Sequence, residues 1–286
     1  MKRILGILMV MVVLVTSLCG CGSKSEEGSI VEGAVSVVAR EDGSGTRDAF
    51  NELMGIVDEN ENDLTYDGAE ITNSTSVMLT TVAGNPNAIG YVSLGSLSNE
   101  VNAVSVDGVE PTAENVKTGD YKIARPFNIA YKEGQLSEVA QDFVKFILST
   151  EGQQIIEEEG YISIAGADSY TASNLEGKIT LAGSTSVAPV MEVLADKYRA
   201  LNPNVVIEIQ QSGSSAGITS AIEGACDIGM SSRDLKDSEA ADLISTQIAM
   251  DGIAVITNLN NPITNLTSEQ IKEIFIGEIL DWAEVQ

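Results

Sequence analysis

The chain has 286 residues, 16 Lys and Arg against 42 Asp and Glu, and a formal net charge of −26. That excess of negative charge argues against a nucleic-acid partner, because affinity for a polyanion rests on basic contacts to its phosphates. The sequence contains no His, which removes Ser–His and Cys–His nucleophile pairs and most zinc and copper sites; no metal or cofactor is expected. With 43% hydrophobic residues, the chain is long enough for one large globular unit or two lobes.

In chain order, Lys2 and Arg3 precede an apolar run over residues 4–18, which is too short and wrongly flanked for a membrane span and reads as a secretory signal. It ends in Leu18-Cys19-Gly20-Cys21. An aliphatic residue three before Cys21 and a small residue just before it resemble the bacterial lipoprotein signal; choosing Cys19 would put Leu18 in the small-residue position. Residues 1–20 are then a cleaved signal, Cys21 the lipidated N-terminus and residues 21–30 a polar tether. A simple secretory signal with a spare Cys is the alternative. Beyond Cys21 only Cys226 remains, so the mature chain can form no internal disulfide, and Cys226 reads as a small buried hydrophobe.

From residue 35 onward, short β-branched runs alternate with amphipathic stretches, the pattern of an α/β protein. Strands are predicted over 35–39, 88–93, 101–106, 178–182, 205–210, 227–230 and 252–257. Helices are predicted over 46–54, 138–148, 152–158, 188–201, 218–223 and 268–275. Pro189 suits the first turn of its helix, where a missing N–H costs nothing, and Thr267 with Gln270 resembles a capping box. Residues 164–177 are small, polar and turn-rich, and read as a linker. No internal period is visible.

Three Gly/Ser/Thr clusters stand where a strand should hand over to a helix: Gly43-Ser44-Gly45-Thr46, Gly183-Ser184-Thr185-Ser186 and Gly213-Ser214-Ser215-Ala216-Gly217. A helix N-terminus leaves backbone N–H groups unpaired and carries partial positive charge, so it can hold an anion. Glycine allows close backbone approach and Ser or Thr adds hydroxyl donors. One such cluster is ordinarily a capped helix; three suggest helix ends converging on a small oxyanion. The overall negative charge does not forbid this, since it is screened over about 8–10 Å while aimed dipoles act at contact.

Taken together these segments resemble the phosphate-binding lipoprotein family that feeds bacterial phosphate ABC transporters. The resemblance rests on residues 181–189, 211–217, 227–233, 37–47 and 85–92 and on Leu266 through Trp282. It implies an α/β fold of the two-lobed periplasmic-binding-protein type II kind, with the ligand in a cleft crossed by two strands. Here the order of the motifs departs from the family. The stretch Arg40 to Thr46 comes first and the Gly183 motif follows it, so the chain reads as a circular permutant in which 164–177 joins the former termini; a piece of a tandem array is the competing account. The crossings fall at 125–132 and 248–257. One lobe is then contiguous over 126–252, and the other combines 31–125 with 253–286.

Motif by motif, the resemblance puts Thr185, Ser186, Ser214 and Ser232 on the ligand from one lobe and Arg40, Ser44, Gly45 and Thr46 from the other, with Asp42 orienting Arg40. Many family members carry an acidic residue where this chain has Ser232, so a fully ionised anion is not repelled there. Arg233 is either a second contact or half of an ion pair. Hydrogen bonds to a charged group contribute about 1.5–3 kcal/mol each, and six would exceed the roughly 8 kcal/mol of micromolar binding after ordering costs. The implied role is extracytoplasmic capture of inorganic phosphate by a lipid-anchored monomer for a membrane permease and its ATPase. Without His or clustered metal-ligating carboxylates, an enzyme is not expected. The alternative is a relative that senses phosphate or binds sulfate or molybdate without transport.

Overall fold

A computed structural model describes residues 33–166 and 168–285. The signal segment, Cys21 and the tether lie outside the described residues.

The elements run β1 (Ser36–Arg40), α1 (Gly45–Met54), β2 (Glu70–Thr72), α2 (Thr75–Gly84), β3 (Ala88–Ser93), β4 (Val101–Val106), α3 (Ala113–Thr118) and β5 (Ala124–Tyr131). They continue as α4 (Glu138–Leu148), α5 (Thr150–Glu158), β6 (Ile162–Ser163), β7 (Gly177–Gly183), α6 (Ala188–Leu201), β8 (Val205–Gln211) and α7 (Ser214–Glu223). The chain closes with β9 (Ile228–Ser231), α8 (Asp237–Ala240), β10 (Ile244–Asn258), β11 (Asn265–Leu266) and α9 (Ser268–Ile276). All six predicted helices are present, α7 starting four residues earlier than expected because Gly213, not Gly217, sits ahead of its first turn.

A continuous sheet runs in the order β2-β1-β3-β10-β5-β9-β7-β8. On one side β1 lies between β2 and β3 and is parallel to both. On the other, β7 lies between β8 and β9, again parallel to both. Each side is therefore a βαβαβ unit, β1-α1-β2-α2-β3 or β7-α6-β8-α7-β9, with its first strand central. The sequence shows no repeat, yet the two units share one topology. Strand order reverses beside β1 and beside β7, and in open α/β sheets ligands bind outside the carboxyl ends of strands at such a reversal. The carboxyl ends of these two strands are Arg40 and Gly183.

Between the units stand β5 and β10, antiparallel to each other over 124–131 and 244–252. The later part of β10 pairs with β3 and β4. One buried cluster gathers Phe127, Phe143, Phe146, Leu181, Leu194, Tyr198 and Ile248 on the β7 side. Another gathers Val37, Phe50, Tyr91, Val255, Phe275 and Trp282 on the β1 side. With a smaller cluster on each side, Val38, Met78 and Val82 in one and Ile218, Ala221 and Leu243 in the other, these make two lobes joined by two strands. At the junction Arg125 of β5 donates to Asp251 of β10 at 3.1 and 3.3 Å, and Ser93 donates to the other carboxylate oxygen at 2.9 Å. The Arg125 guanidinium also lies 5.4 Å from the Phe127 ring centre. Breaking such a buried pair strands a charge without solvent, which ties the two crossings together. Among the described residues no helix is long and apolar enough to cross a membrane.

Residues 164–177 are held to the β7 lobe through Tyr170 and Ser173, with Glu151 accepting from the Tyr170 N–H at 2.7 Å and Asp142 from side-chain hydroxyls. Asp142 of α4 accepts from Tyr170, Ser173 and Tyr198 at 2.6, 2.7 and 2.7 Å, and the Tyr170 ring packs edge-on to Phe146 at 5.1 Å. Burial pushes the Asp142 carboxyl up, but the three hydroxyls outweigh it and hold the group below its usual range. A depressed folded value stabilises above the unfolded pKa and is lost as pH falls through the folded one. Asp142→Ala is expected to lower the melting temperature by about 3–6 °C at neutral pH, from about 1–2 kcal/mol of partly solvated hydrogen bonds. The gap to wild type should close only below about pH 4. Thermal melts at pH 7 and pH 3.5 check both, and an unchanged melt at pH 7 would mean that Asp142 does not hold this segment.

Candidate functional site

The site forms where the two strand-order reversals face each other. Strand β1 delivers Arg40, whose backbone N–H donates to the Tyr91 hydroxyl at 3.2 Å and whose carbonyl accepts from Arg47 at 2.7 Å. Its guanidinium is 2% exposed. It is gripped by both oxygens of Glu41 at 2.8 Å and reaches across the cleft to the Thr185 hydroxyl at 3.1 Å.

The carboxylate that orients Arg40 is thus Glu41, a correction to the expectation that Asp42 does so. Glu41 is still held at the end of β1 by its N–H to the Thr72 carbonyl at 2.9 Å, so its longer side chain lies along the guanidinium. Asp42 is carried into the following turn and is exposed.

The hydroxyls of both lobes meet. Thr46 of α1 lies 2.9 Å from Ser186, and Thr75 at the start of α2 lies 3.2 Å from both Thr185 and Ser186. Beside them Ser214 and Ser232 lie 3.3 Å apart, and the Ser232 N–H donates to the Ser214 hydroxyl at 3.2 Å. Gly45 faces this pair: a Cβ built on it would stand 2.4 Å from the Ser214 oxygen. Ser44 caps α1, its hydroxyl accepting from the Arg47 N–H at 3.4 Å. Arg40, Ser44, Thr46, Thr75, Thr185, Ser186, Ser214 and Ser232 are all buried.

Arg233 is committed elsewhere. It donates twice to Glu239 at 2.7 and 2.9 Å within its own lobe and to Asp48 of α1 at 2.9 Å across the cleft. Nearby, the Ser215 N–H reaches the Gly43 carbonyl at 3.1 Å. Burial pushes the Asp48 carboxyl up, against the pull of Arg233. These contacts latch the lobes at the rim. Asp48→Ala removes the cross-lobe half while Glu239 still holds Arg233. It is expected to speed ligand release about 3–10-fold, as befits about 1 kcal/mol for a partly exposed pair, with little change in association; rapid-mixing kinetics separates the two rates.

Of the expected site residues, Arg40, Thr46, Thr185 and Ser186 touch across the cleft, Gly45 faces Ser214 and Ser232, Ser44 caps α1 and Asp42 is exposed, while Cys21 lies outside the described residues. Thr75 was missed. Its signal was a fourth Ser/Thr run, Asn73-Ser74-Thr75-Ser76, with Ser74 accepting from the Val77 N–H as N-cap.

A two-lobed α/β chain that turns helix starts, hydroxyls and one guanidinium into an interlobe cleft is a solute-binding protein with an anion-suited site. Comparison with known proteins carries this further. The family model described as a PBP superfamily domain matches residues 25–151 and 168–286. The chain is 48% identical over 273 residues to Phosphate-binding protein PstS 2 of Streptococcus agalactiae, covering 94% of this chain and 92% of that one. It is 41% identical over 274 residues to the PstS 2 protein of Streptococcus pneumoniae, covering 94% of each. The crystal structure of a phosphate ABC transporter phosphate-binding protein from Streptococcus pneumoniae TIGR4 superposes with a TM-score of 0.71 at 42% identity, covering 89% of this chain and all of that one. The chain belongs to the PstS phosphate-binding proteins of the PBP superfamily.

Proposed function

We propose that this protein binds inorganic phosphate between its lobes outside the cytoplasm and delivers it to the permease and ATPase of a phosphate ABC transporter. The observation that carries the reading is the meeting of Arg40, Thr46, Thr185 and Ser186 across the cleft, in a chain nearly half identical to a protein named for phosphate binding. Arg40 supplies charge and two-pronged geometry suited to a tetrahedral anion; the hydroxyls and helix starts supply donors without further charge. Closing the lobes removes water and strengthens each of these contacts. The role is carriage and not catalysis. Tethering through a lipid on Cys21 and action as a monomer belong to the same proposal, as does the permuted order. The order of segments is one that the PstS 2 relatives share, since they align along nearly the whole chain.

Calorimetric titration of the chain from Ser23 onward with phosphate, and separately with sulfate, tests the reading. One phosphate per chain at micromolar or tighter affinity is expected. No heat with phosphate from a folded chain would overturn it, and a preference for sulfate would change the ligand while keeping the cleft.

A further inference from the structure

The topology of the two lobes draws attention to a residue outside the three Gly/Ser/Thr clusters. In the β7 lobe, the second helix of the βαβαβ unit is α7, and its first residue is Ser214. In the β1 lobe, the second helix is α2, and its first residue is Thr75. Both helices have ten residues and both follow the strand flanking the central one. Thr75 and Ser214 therefore hold the same position in topologically equivalent units, each at the carboxyl-end side of its sheet, where the cleft lies.

The side-chain geometry agrees. Thr75 is 5% exposed. Its hydroxyl lies 3.2 Å from Thr185, 3.2 Å from Ser186 and 3.5 Å from an Arg40 nitrogen, and its backbone N–H donates to Thr185 at 3.4 Å. The contacts make a chain of polar groups: Arg40 to Thr185, Thr185 to Thr75, Thr75 to Ser186, Ser186 to Thr46. Thr75 is the link between the guanidinium end and the α1 end. Each hydroxyl carries one proton and can turn it toward an anion oxygen. A ligand that touches Thr185 and Ser186 lies within reach of Thr75 as well.

We propose that Thr75 is a further anion-binding residue of the cleft, donating its hydroxyl proton to a ligand oxygen and setting a fourth helix start, that of α2, against the ligand. The inference rests on the phosphate reading of the same cleft. It extends that reading by giving each lobe two helix starts, so that a tetrahedral anion is gripped from both sides by like units.

The test compares Thr75→Val, which keeps the shape and removes the hydroxyl, with Thr75→Ser, which keeps the hydroxyl. Both are made in the chain from Ser23 onward and titrated with inorganic phosphate, and melting of the ligand-free proteins is followed in parallel. Thr75→Val is expected to weaken binding about 10–100-fold, as for a neutral donor lost from a charged ligand. Thr75→Ser should stay within about 3-fold of wild type by the same scale, with ligand-free melting little changed in either. Wild-type affinity in Thr75→Val, or equal losses in both variants, would overturn the role of Thr75 while leaving phosphate binding intact. A wild-type chain that takes no phosphate would overturn both readings, so the two failures are distinguishable.

Discussion

Arg40→Ala is expected to weaken phosphate binding by two to four orders of magnitude. The guanidinium is buried, holds both Glu41 oxygens at 2.8 Å and is one bond from the opposite lobe at Thr185. Removing it deletes the cation that the cleft turns toward its ligand and leaves the Glu41 carboxylate beside a bound anion. Two hydrogen bonds from a cation to a charged ligand contribute about 3–5 kcal/mol, with each 1.4 kcal/mol a factor of ten. Because the stranded Glu41 adds to that loss, the double variant Arg40→Ala with Glu41→Gln should recover some affinity over Arg40→Ala alone. Calorimetry with phosphate on folded variants decides it. A fall of less than tenfold for Arg40→Ala would show that the hydroxyls hold the anion without Arg40.

Gly45→Ala is expected to separate binding from folding. Gly45 is the first residue of α1 and has no left-handed φ, so alanine suits its backbone and slightly favours the helix. The added methyl would stand 2.4 Å from the Ser214 oxygen, 2.9 Å from its Cβ and 2.9 Å from the Ser232 oxygen. All three atoms belong to the other lobe, so the open chain avoids the clash and the closed one cannot. Ligand-free melting should be unchanged or slightly higher, while phosphate affinity falls at least about 100-fold, the scale of overpacking a close interface by 1–3 kcal/mol with lost hydrogen bonds added. Small-angle scattering with saturating phosphate should show wild type compacting and Gly45→Ala remaining extended. Wild-type affinity in the variant would mean that the lobes need not meet this closely.

What each segment does locally was legible where its chemistry is local. Pro189 and the β-branched runs around β7 and β8 marked their elements, and the Thr267 capping box is present with both of its hydrogen bonds. Segments β2 and α2 escaped because their signals are weak. Strand β2 has three residues, two of them exposed. Helix α2 reads Thr-Ser-Val-Met-Leu-Thr-Thr-Val-Ala-Gly, in which β-branched residues blur the helical pattern, and only Thr75, Met78 and Val82 are buried. Only residues 252–257 of β10 are expected as strand, because its first residues are exposed and its later ones buried. It becomes one strand of 15 residues by pairing first with β5 and then with β3 and β4.

By itself, then, the amino-acid sequence determined the α/β class, most of the helices, and most of the residues that could present donors to an anion, since these depend on side chains within a few positions of one another. Only the tertiary structure decided which of them meet. Arg40 and Thr185 are 145 positions apart, and Thr46 and Ser186 are 140 apart; they face each other because β5 and β10 set two like units opposite one another across the cleft. The same placement chose Glu41 over Asp42 and brought in Thr75, through the reach of a side chain at a strand end and the position of a helix start.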